Sequence, residues 1–412
     1  MKNEHYWSLS TKIAFRFSFI FILSFIVIKN NGAFPFFNYI NKPLVLLTYQ
    51  FTPWFSKNIL HYDYDYSIFT NGSGDTSYDW ITLLIFFLYA IIGTIIWSIL
   101  DSKRKSYYTC YYWLTTFIRY YVAFMLINYG VAKLIHAQMP PPGLERLMQP
   151  LGEFSPMGLA WTYFGYSKGY SIFIGVAEIL AGFLLFRKTV VLGTMLTIAV
   201  SINIMTVNYF FDVPVKMMST ALLILSLFLL LPHIKPLFNL LILGRPAQLR
   251  VVTRPKFGKP WINKMLIAIK IVVISVFVIQ QIFGFLNRQK FIDHYLKKSP
   301  LYGIYLIENK DDTHITIPKD WASIVFEYEG YATARDRYYN KKKLTPVINV
   351  NAQTVSLNNY TFDYSILDNG DIILKKTLDD RTQEIKLIKQ NPQEFELMKR
   401  EFNWIQEYPY NR

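Results

Sequence analysis

Seven long apolar runs, separated by polar connectors, occupy the chain as far as Leu286, and a different rhythm follows. The runs are Ile13–Ile28, Trp80–Leu100, Trp113–Ile135, Gly169–Phe186, Thr189–Asn208, Lys216–Leu231 and Lys264–Leu286. Each approaches the ~20 residues a helix needs to cross ~30 Å of hydrocarbon, so about seven transmembrane helices are predicted. The sixth run is short and is expected to extend into the loop before it. The first is followed by Lys29-Asn30-Asn31 with no A-x-A-like cleavage site, and it reads as a retained span rather than a signal peptide.

Two connectors carry structure of their own. Residues 38–60 mix Leu, Phe, Tyr and Trp with Pro43 and Pro53, which reads as an interfacial segment rather than another span. Residues 136–168 open with Pro140-Pro141-Pro142-Gly143 and end in Trp161-Thr162-Tyr163-Phe164. This loop either folds back over the bundle mouth with its aromatics at headgroup level or is a plain connector.

Beyond the last span, Leu301–Glu308, Ala322–Glu329, Thr361–Leu367 and Asp371–Lys376 are short β-branched or aromatic runs. Asp368-Asn369-Gly370-Asp371 between two of them is a hairpin signal. Closely spaced short strands predict a small barrel or sandwich, with Asn391–Arg400 as a short helix packed on it.

Charge fixes an expected orientation. Residues 1–284 hold 24 Lys/Arg and 10 Asp/Glu, whereas residues 285–412 hold 19 and 18. The basic excess therefore belongs to the membrane part. It concentrates in alternate loops, the loop with Arg250, Arg254 and Lys256 among them, which puts the N-terminus in the cytoplasm and the C-terminal domain outside. Orientation signals account for the basic balance, so nucleic acid is not an expected partner; the lipid bilayer is. With one cysteine, Cys110, the chain cannot run dithiol–disulfide chemistry on its own thiols. All six histidines lie outside the predicted spans, which argues against a bis-His haem. No metal site is expected.

Ionisable groups inside spans each need a reason. Arg16 and Lys270 lie near the cytoplasmic ends of their helices and can snorkel to the headgroups, and Arg119 has the same option more weakly. Glu178 sits nine residues into its span, too deep for a short carboxylate to snorkel. Gly175, Glu178 and Gly182 share a helix face where small residues admit a neighbouring helix, so Glu178 is expected to point into the bundle, either paired or protonated. Candidate partners are Lys133 (which can also snorkel outward), Asn203, Asn208, Asp212 and Lys216. Asp212 precedes Val213-Pro214 and can cap the sixth helix. Lys216, in a first turn, needs a carboxylate nearby, either Asp212 or Glu178. With Arg119 and Arg146 these residues form the candidate polar, ligand-binding cluster.

Arg119, Asn128-Tyr129-Gly130-Val131-Ala132-Lys133-Leu134 and Gly175-Val176-Ala177-Glu178-Ile179-Leu180-Ala181-Gly182 together resemble the DoxX-like family of four-helix membrane proteins. So do Pro142-Gly143-Leu144-Glu145-Arg146-Leu147 and Asn208-Tyr209-Phe210-Phe211-Asp212-Val213-Pro214-Val215-Lys216. The tail Phe402–Arg412 is similar to that of a long subgroup with an extracytoplasmic β-domain. The resemblance implies a redox-linked accessory or oxidoreductase-associated role, with quinone as the cofactor or ligand class and a redox or periplasmic protein as partner. The C-terminal domain resembles small lipocalin-like barrels, with Tyr305 of Leu301-Tyr302-Gly303-Ile304-Tyr305 standing where such domains often have tryptophan.

The expected organisation is a membrane all-α bundle plus a small C-terminal all-β barrel. It comprises an N-terminal helix pair with its long loop (1–112), a DoxX-like four-helix core (113–232), a basic cytoplasmic loop (233–263), a seventh span (264–286) and an extracytoplasmic β-rich domain (287–412) at the inner membrane. Three functions fit: a quinone- or amphiphile-binding subunit, a membrane-anchored binding or assembly protein acting through its barrel, and intramembrane acid–base chemistry using Lys133 or Lys216.

Overall fold

The computed structural model describes residues 6–63, 73–249, 255, 258–308, 317–318, 321–357, 359–378, 381–400 and 403–410. Arg250, Arg254 and Lys256 of the basic loop, and Phe402, Asn411 and Arg412 of the tail, lie outside them. The chain divides into a helical unit, residues 1–140 and 156–286, and a β unit, residues 141–155 and 287–412.

The helical unit contains α1 (Leu9–Ile28), α2 (Phe37–Asn58), α3 (Ser77–Leu100), α4 (Tyr108–Leu134), α6 (Pro156–Tyr166), α7 (Lys168–Ile179), α8 (Val190–Phe210), α9 (Lys216–Leu230) and α10 (Ile234–Leu241), and α11 (Pro260–Tyr295) starts within it; α5 (Leu144–Leu147) falls in the β unit. Six described helical segments have the length and apolarity to cross a bilayer: α1, α3, α7 with its continuation to Leu185, α8, α9 continued through α10, and α11 to Arg288. The chain is a multi-pass membrane protein. The remaining expected span, α4, is long enough at 27 residues but carries tyrosines, threonines, Arg119, Asn128 and Lys133. Its burial explains that composition. Six consecutive residues, Tyr121–Leu126, are buried, so every face of that stretch meets protein and does not have to match lipid. It packs on α1, α7 and α9.

Several elements depart from expectation. Of the segment 38–60, the residues up to Asn58 form one helix, α2, despite Pro43 and Pro53 inside it. Its polar groups bond to the neighbouring helix ends: Asn41 donates to the Val27 carbonyl at 2.6 Å, and the Thr52 and Thr82 hydroxyls meet at 3.1 Å. The run Gly169–Phe186 is α-helical only to Ile179, and Leu180–Leu185 tightens to a 3-10 helix. There α8 comes backbone-close at Gly193, where a Cβ would lie 2.8 Å from the Leu184 nitrogen. The sixth run does not extend backwards. It starts at Lys216 and continues forwards through a 3-10 turn, Leu231–His233, into α10. Arg16 does not snorkel. It is 1% exposed and donates to the Tyr107 hydroxyl, the Ser98 hydroxyl (2.8 Å) and the Asp101 carbonyl (3.0 Å) at the end of α3. A cation at a helix C-terminus is electrostatically favoured.

The β unit is a curled antiparallel sheet of nine strands: β1 (Lys298–Glu308), β2 (Trp321–Tyr328), β3 (Tyr331–Asp336), β4 (Lys341–Leu344), β5 (Val347–Asn349), β6 (Thr354–Leu357), β7 (Tyr360–Ile366), β8 (Ile372–Leu378) and β9 (Arg381–Gln390). Their order is β4-β3-β2-β1-β9-β8-β7-β6-β5, a half-barrel with β4 and β5 at its edges. The expected hairpin joins β7 to β8, with Gly370 at φ +84° supplying the left-handed turn residue. Inward residues such as Tyr305, Ile324, Phe326, Phe362, Leu374 and Leu387 fill the inner core. The expected helix Asn391–Arg400 reduces to a 3-10 turn, Pro392–Glu394, and the single turn α12 (Glu396–Lys399).

Strand β2 is buried on both faces from Ser323 to Glu327. Ile324 and Phe326 point into the half-barrel, whereas Val325 joins Ile304 of β1 and Leu144 in a second apolar cluster. The cover is residues 141–155, the segment between α4 and α6, which the sequence reading assigned to the four-helix core. Its attachment is polar as well as apolar. Glu327 accepts from the Leu144 and Glu145 backbone N–H groups at 3.0 and 3.2 Å. A Cβ at Gly143 would fall 2.0 Å from the Glu327 carboxylate, so any other residue there has to displace that side chain. Glu145 accepts from the Tyr331 hydroxyl (2.6 Å) and pairs with Lys341. Glu153 takes both terminal nitrogens of buried Arg335 at 3.0 and 2.9 Å, a bidentate pair.

Burial pushes the Glu145 carboxyl up, but hydrogen bonds from Lys341 and Tyr331 and the charges of Lys341 and Arg335 outweigh it and hold the group below its ordinary value. Its ionised form therefore stabilises the β unit above the ordinary glutamate pKa of ~4.3, and that contribution is lost as pH falls through the lower, folded value. Glu145→Gln is expected to lower amide protection in β3 and β4 at pH 7. After correction for intrinsic exchange, the gap from wild type should close as the pH falls below the lowered, folded-state value of Glu145. An equal gap at both pH values would mean that the charge of Glu145 is not what holds the segment.

Candidate functional site

The site begins with two glycines. Helices α4 and α7 meet backbone to backbone at Gly130 and Gly175: a Cβ on the first would lie 2.6 Å from the Gly175 carbonyl oxygen, and one on the second 2.8 Å from that of Gly130. Each glycine is followed three residues later, on the same face, by an ionisable residue. The close crossing therefore brings Lys133 and Glu178 together. The Lys133 ammonium lies 2.7 and 2.9 Å from the two oxygens of Glu178. The Ser171 hydroxyl of α7 donates to the Lys133 carbonyl at 3.1 Å and fixes the backbone there. Glu178 is 0% exposed and Lys133 6%, so the carboxylate faces protein and the lysine does not snorkel.

The pair opens onto a cavity of about 200 Å³. It lies where α4 and α8 end and α9 begins. Tyr129, Asn203, Asn208 and Gln138 supply polar lining, and Trp161 and Phe164 of α6 with Met139, Met157 and Met218 supply apolar walls. The Asn208 amide donates to the Val215 carbonyl at 3.4 Å, and the Gln138 carbonyl oxygen is buried without a partner among the described residues. Lysine has three donors and Glu178 takes two, which leaves one N–H for a guest. Helix α6 reaches the cavity because Gly165 sits against the Pro140 carbonyl, where a Cβ would be 2.1 Å away. Of the loop 136–168, residues Gln138, Met139, Met157, Trp161 and Phe164 line this cavity, and 141–155 belong to the β unit.

Four of the eight predicted cluster residues thus share one site: Glu178, Lys133, Asn203 and Asn208. Asp212 and Lys216 pair with each other at 2.8 Å and do not line the cavity. Asp212 does not cap α9; it has φ +51°. The cap comes from Asp75, which accepts from the Lys216 and Met217 N–H groups at 2.6 and 2.9 Å. That carboxylate also offsets the unfavourable placement of Lys216 in a first turn. Arg119 is on the earlier part of α4, donates to the Leu184 carbonyl at 2.8 Å and lines other cavities. Arg146 is in the β unit, bonded to Gln149 at 2.6 Å with its guanidinium 4.8 Å from the Phe154 ring centre. Sequence reasoning missed Tyr129, Gln138, Ser171 and Asp75. Only Tyr129 carried a signal, one helical turn before Lys133.

Breaking this ion pair from one side strands the other charge, whereas replacing both does not. Lys133→Met alone is expected to cost about 3–5 kcal/mol of stability, and Lys133→Met/Glu178→Leu to recover most of it. Thermal unfolding in detergent reads the difference. A double variant no more stable than the single one would show that the two groups are not coupled.

No protein-family model matches the chain, and no solved structure does. Over 122 aligned residues it is 36% identical to the uncharacterized protein YwoB of Bacillus subtilis (strain 168), taking in 27% of this chain and 71% of that one. The chain belongs to the same family as YwoB.

Proposed function

We propose that this protein is a DoxX-like, redox-linked accessory subunit of the inner membrane that binds a quinone or similar amphiphile at the Lys133–Glu178 cavity. One observation carries the reading: a buried lysine with a spare donor opens onto an apolar cavity that also presents amides and a phenol. At about 200 Å³ the cavity is smaller than the ~300 Å³ lower end for sites that enclose whole ligands, so it takes a headgroup and leaves the tail outside. Lys133 then donates to a ring carbonyl, Asn208 or Tyr129 serves the opposite oxygen, and Trp161 and Phe164 flank the ring. The positive-inside bias puts the N-terminus in the cytoplasm and this end of the bundle on the extracytoplasmic side.

A second reading, a membrane-anchored binding or assembly protein, draws on the β unit. Among the described strands its half-barrel has two edges, β4 and β5, and an unpaired edge is a template for strand addition by a partner. The lysines Lys341, Lys342 and Lys343 along β4 speak against it, since edge lysines discourage pairing.

Native mass spectrometry with a short-tailed ubiquinone tests the first reading. Wild type is expected to retain one quinone, and Val207→Trp, which fills the cavity from its wall, to retain none. Failure of wild type to bind would remove the quinone assignment, and equal binding by Val207→Trp would move it to another site.

A further inference from the structure

A second polar region lies at the opposite end of α4. Two cavities, of about 410 and 270 Å³, share Tyr112, Arg119 and Arg187 in their walls. Lys188 adds a cation to the larger cavity and Lys270 to the smaller, and among the described residues no Asp or Glu lines either one. Arg119 is buried, and among the described residues only its Nε is used, on the Leu184 carbonyl. Arg187 and Lys188 form no hydrogen bond or ion pair among the described residues. Four cations gathered without a counter-charge repel one another, and an anionic guest relieves that repulsion.

Two further features favour an anion. The larger cavity is lined by Val190, Val191 and Leu192, the first turn of α8, and no side chain caps that turn. The free N–H groups of a 21-residue helix point towards its N-terminal end, where the macrodipole attracts negative charge. His233, 3% exposed, also lines this cavity, and its Nδ1 has no partner among the described residues. It is a buried polar atom awaiting a guest.

We propose that these two cavities, which share wall residues, bind the phosphate-bearing headgroup of an anionic membrane lipid. The walls select a lipid over free phosphate. Leu237 and Leu241 of α10 line the larger cavity, and Ile267 and Val273 of α11 the smaller. Leu241 and Ile267 are exposed, as surfaces that meet acyl chains are. A zwitterionic lipid fits poorly, because its ammonium finds no carboxylate among the described residues of either wall. The site stands apart from the Lys133 cavity and shares no residue with it.

The test uses the full chain in detergent, titrated with phosphatidylglycerol, phosphatidylcholine and inorganic phosphate and read by native mass spectrometry. Phosphatidylglycerol is expected to bind about tenfold tighter than phosphatidylcholine, and Arg187→Gln/Lys188→Gln to abolish that preference. Arg245→Gln/Lys259→Gln, which removes the same charge from residues lining neither cavity, is expected to keep it. Equal binding of the two lipids by wild type overturns the proposal, and so does equal loss in the two double variants, which reports diffuse attraction only. Displacement of the lipid by millimolar inorganic phosphate would reassign the site to a free anion. If Arg187→Gln/Lys188→Gln fails to fold, the selectivity of wild type and its response to phosphate still decide.

Discussion

The contact between Gly130 and Gly175 is the constraint on which the membrane site depends. An ion pair inside a bundle survives only if its two charges are held at hydrogen-bond distance, since neither can turn to water. Two helices separated by ordinary side chains run 8–10 Å apart. Here the missing β-carbons let the backbones touch, and the i+3 offset on each helix points Lys133 and Glu178 at one another. The geometry leaves one ammonium hydrogen unspent and places it at a cavity. The same rule of close approach recurs at Gly193 against the 3-10 segment and at Gly165 against Pro140. Glycines thus set the packing around the site, and the aromatic and sulfur side chains line what remains.

The β unit is organised by a different shortage. A half-barrel has one inner face and one outer face, and the outer face of β1 and β2 carries Ile304, Val325 and the carboxylate of Glu327. A buried carboxylate needs donors, and the N-terminal turn of α5 supplies two backbone N–H groups. Burial raises the proton affinity of Glu327, which those donors only partly offset. Glu145 and Glu153 then meet Lys341 and Arg335, so acidic groups of the inserted segment face basic groups of the sheet.

Much of this was legible in the sequence because a few rules are strict. Seven apolar runs gave seven helices, although α4 answers to burial by its neighbours rather than to lipid. A carboxylate deep in a span has to be neutralised, and Gly175 three residues earlier marked the face that does it. The choice of partner was less accessible. Preferring Lys133 to Lys216 requires knowing which helix ends lie level, and the cap of α9 comes from Asp75, 141 residues away. Strands β1, β2, β7 and β8 announced themselves through bulky residues. Strand β3 turns Ala332 and Ala334 inward, and β9 alternates Ile385 and Leu387 with charged neighbours, so both read as polar. The fate of 141–155 was hidden for the same reason as the cap: its binding partners are encoded some 180 residues later, as the 182-residue separation of Arg335 and Glu153 illustrates.

That separation also orders events in time. Residues 141–155 leave the ribosome between two hydrophobic helices, long before β2, β3 and β4 exist to receive them. Leu144 has no strand to dock on until synthesis passes Val325, Glu153 none until Arg335, and Glu145 lacks its basic partner until Lys341. The β unit is therefore assembled from an early strip and a late sheet. Contacts of such long sequence separation form slowly. A nascent chain halted before β4 carries its hydrophobic helices and an acidic, unsheltered strip between two of them, a state that the finished protein does not present.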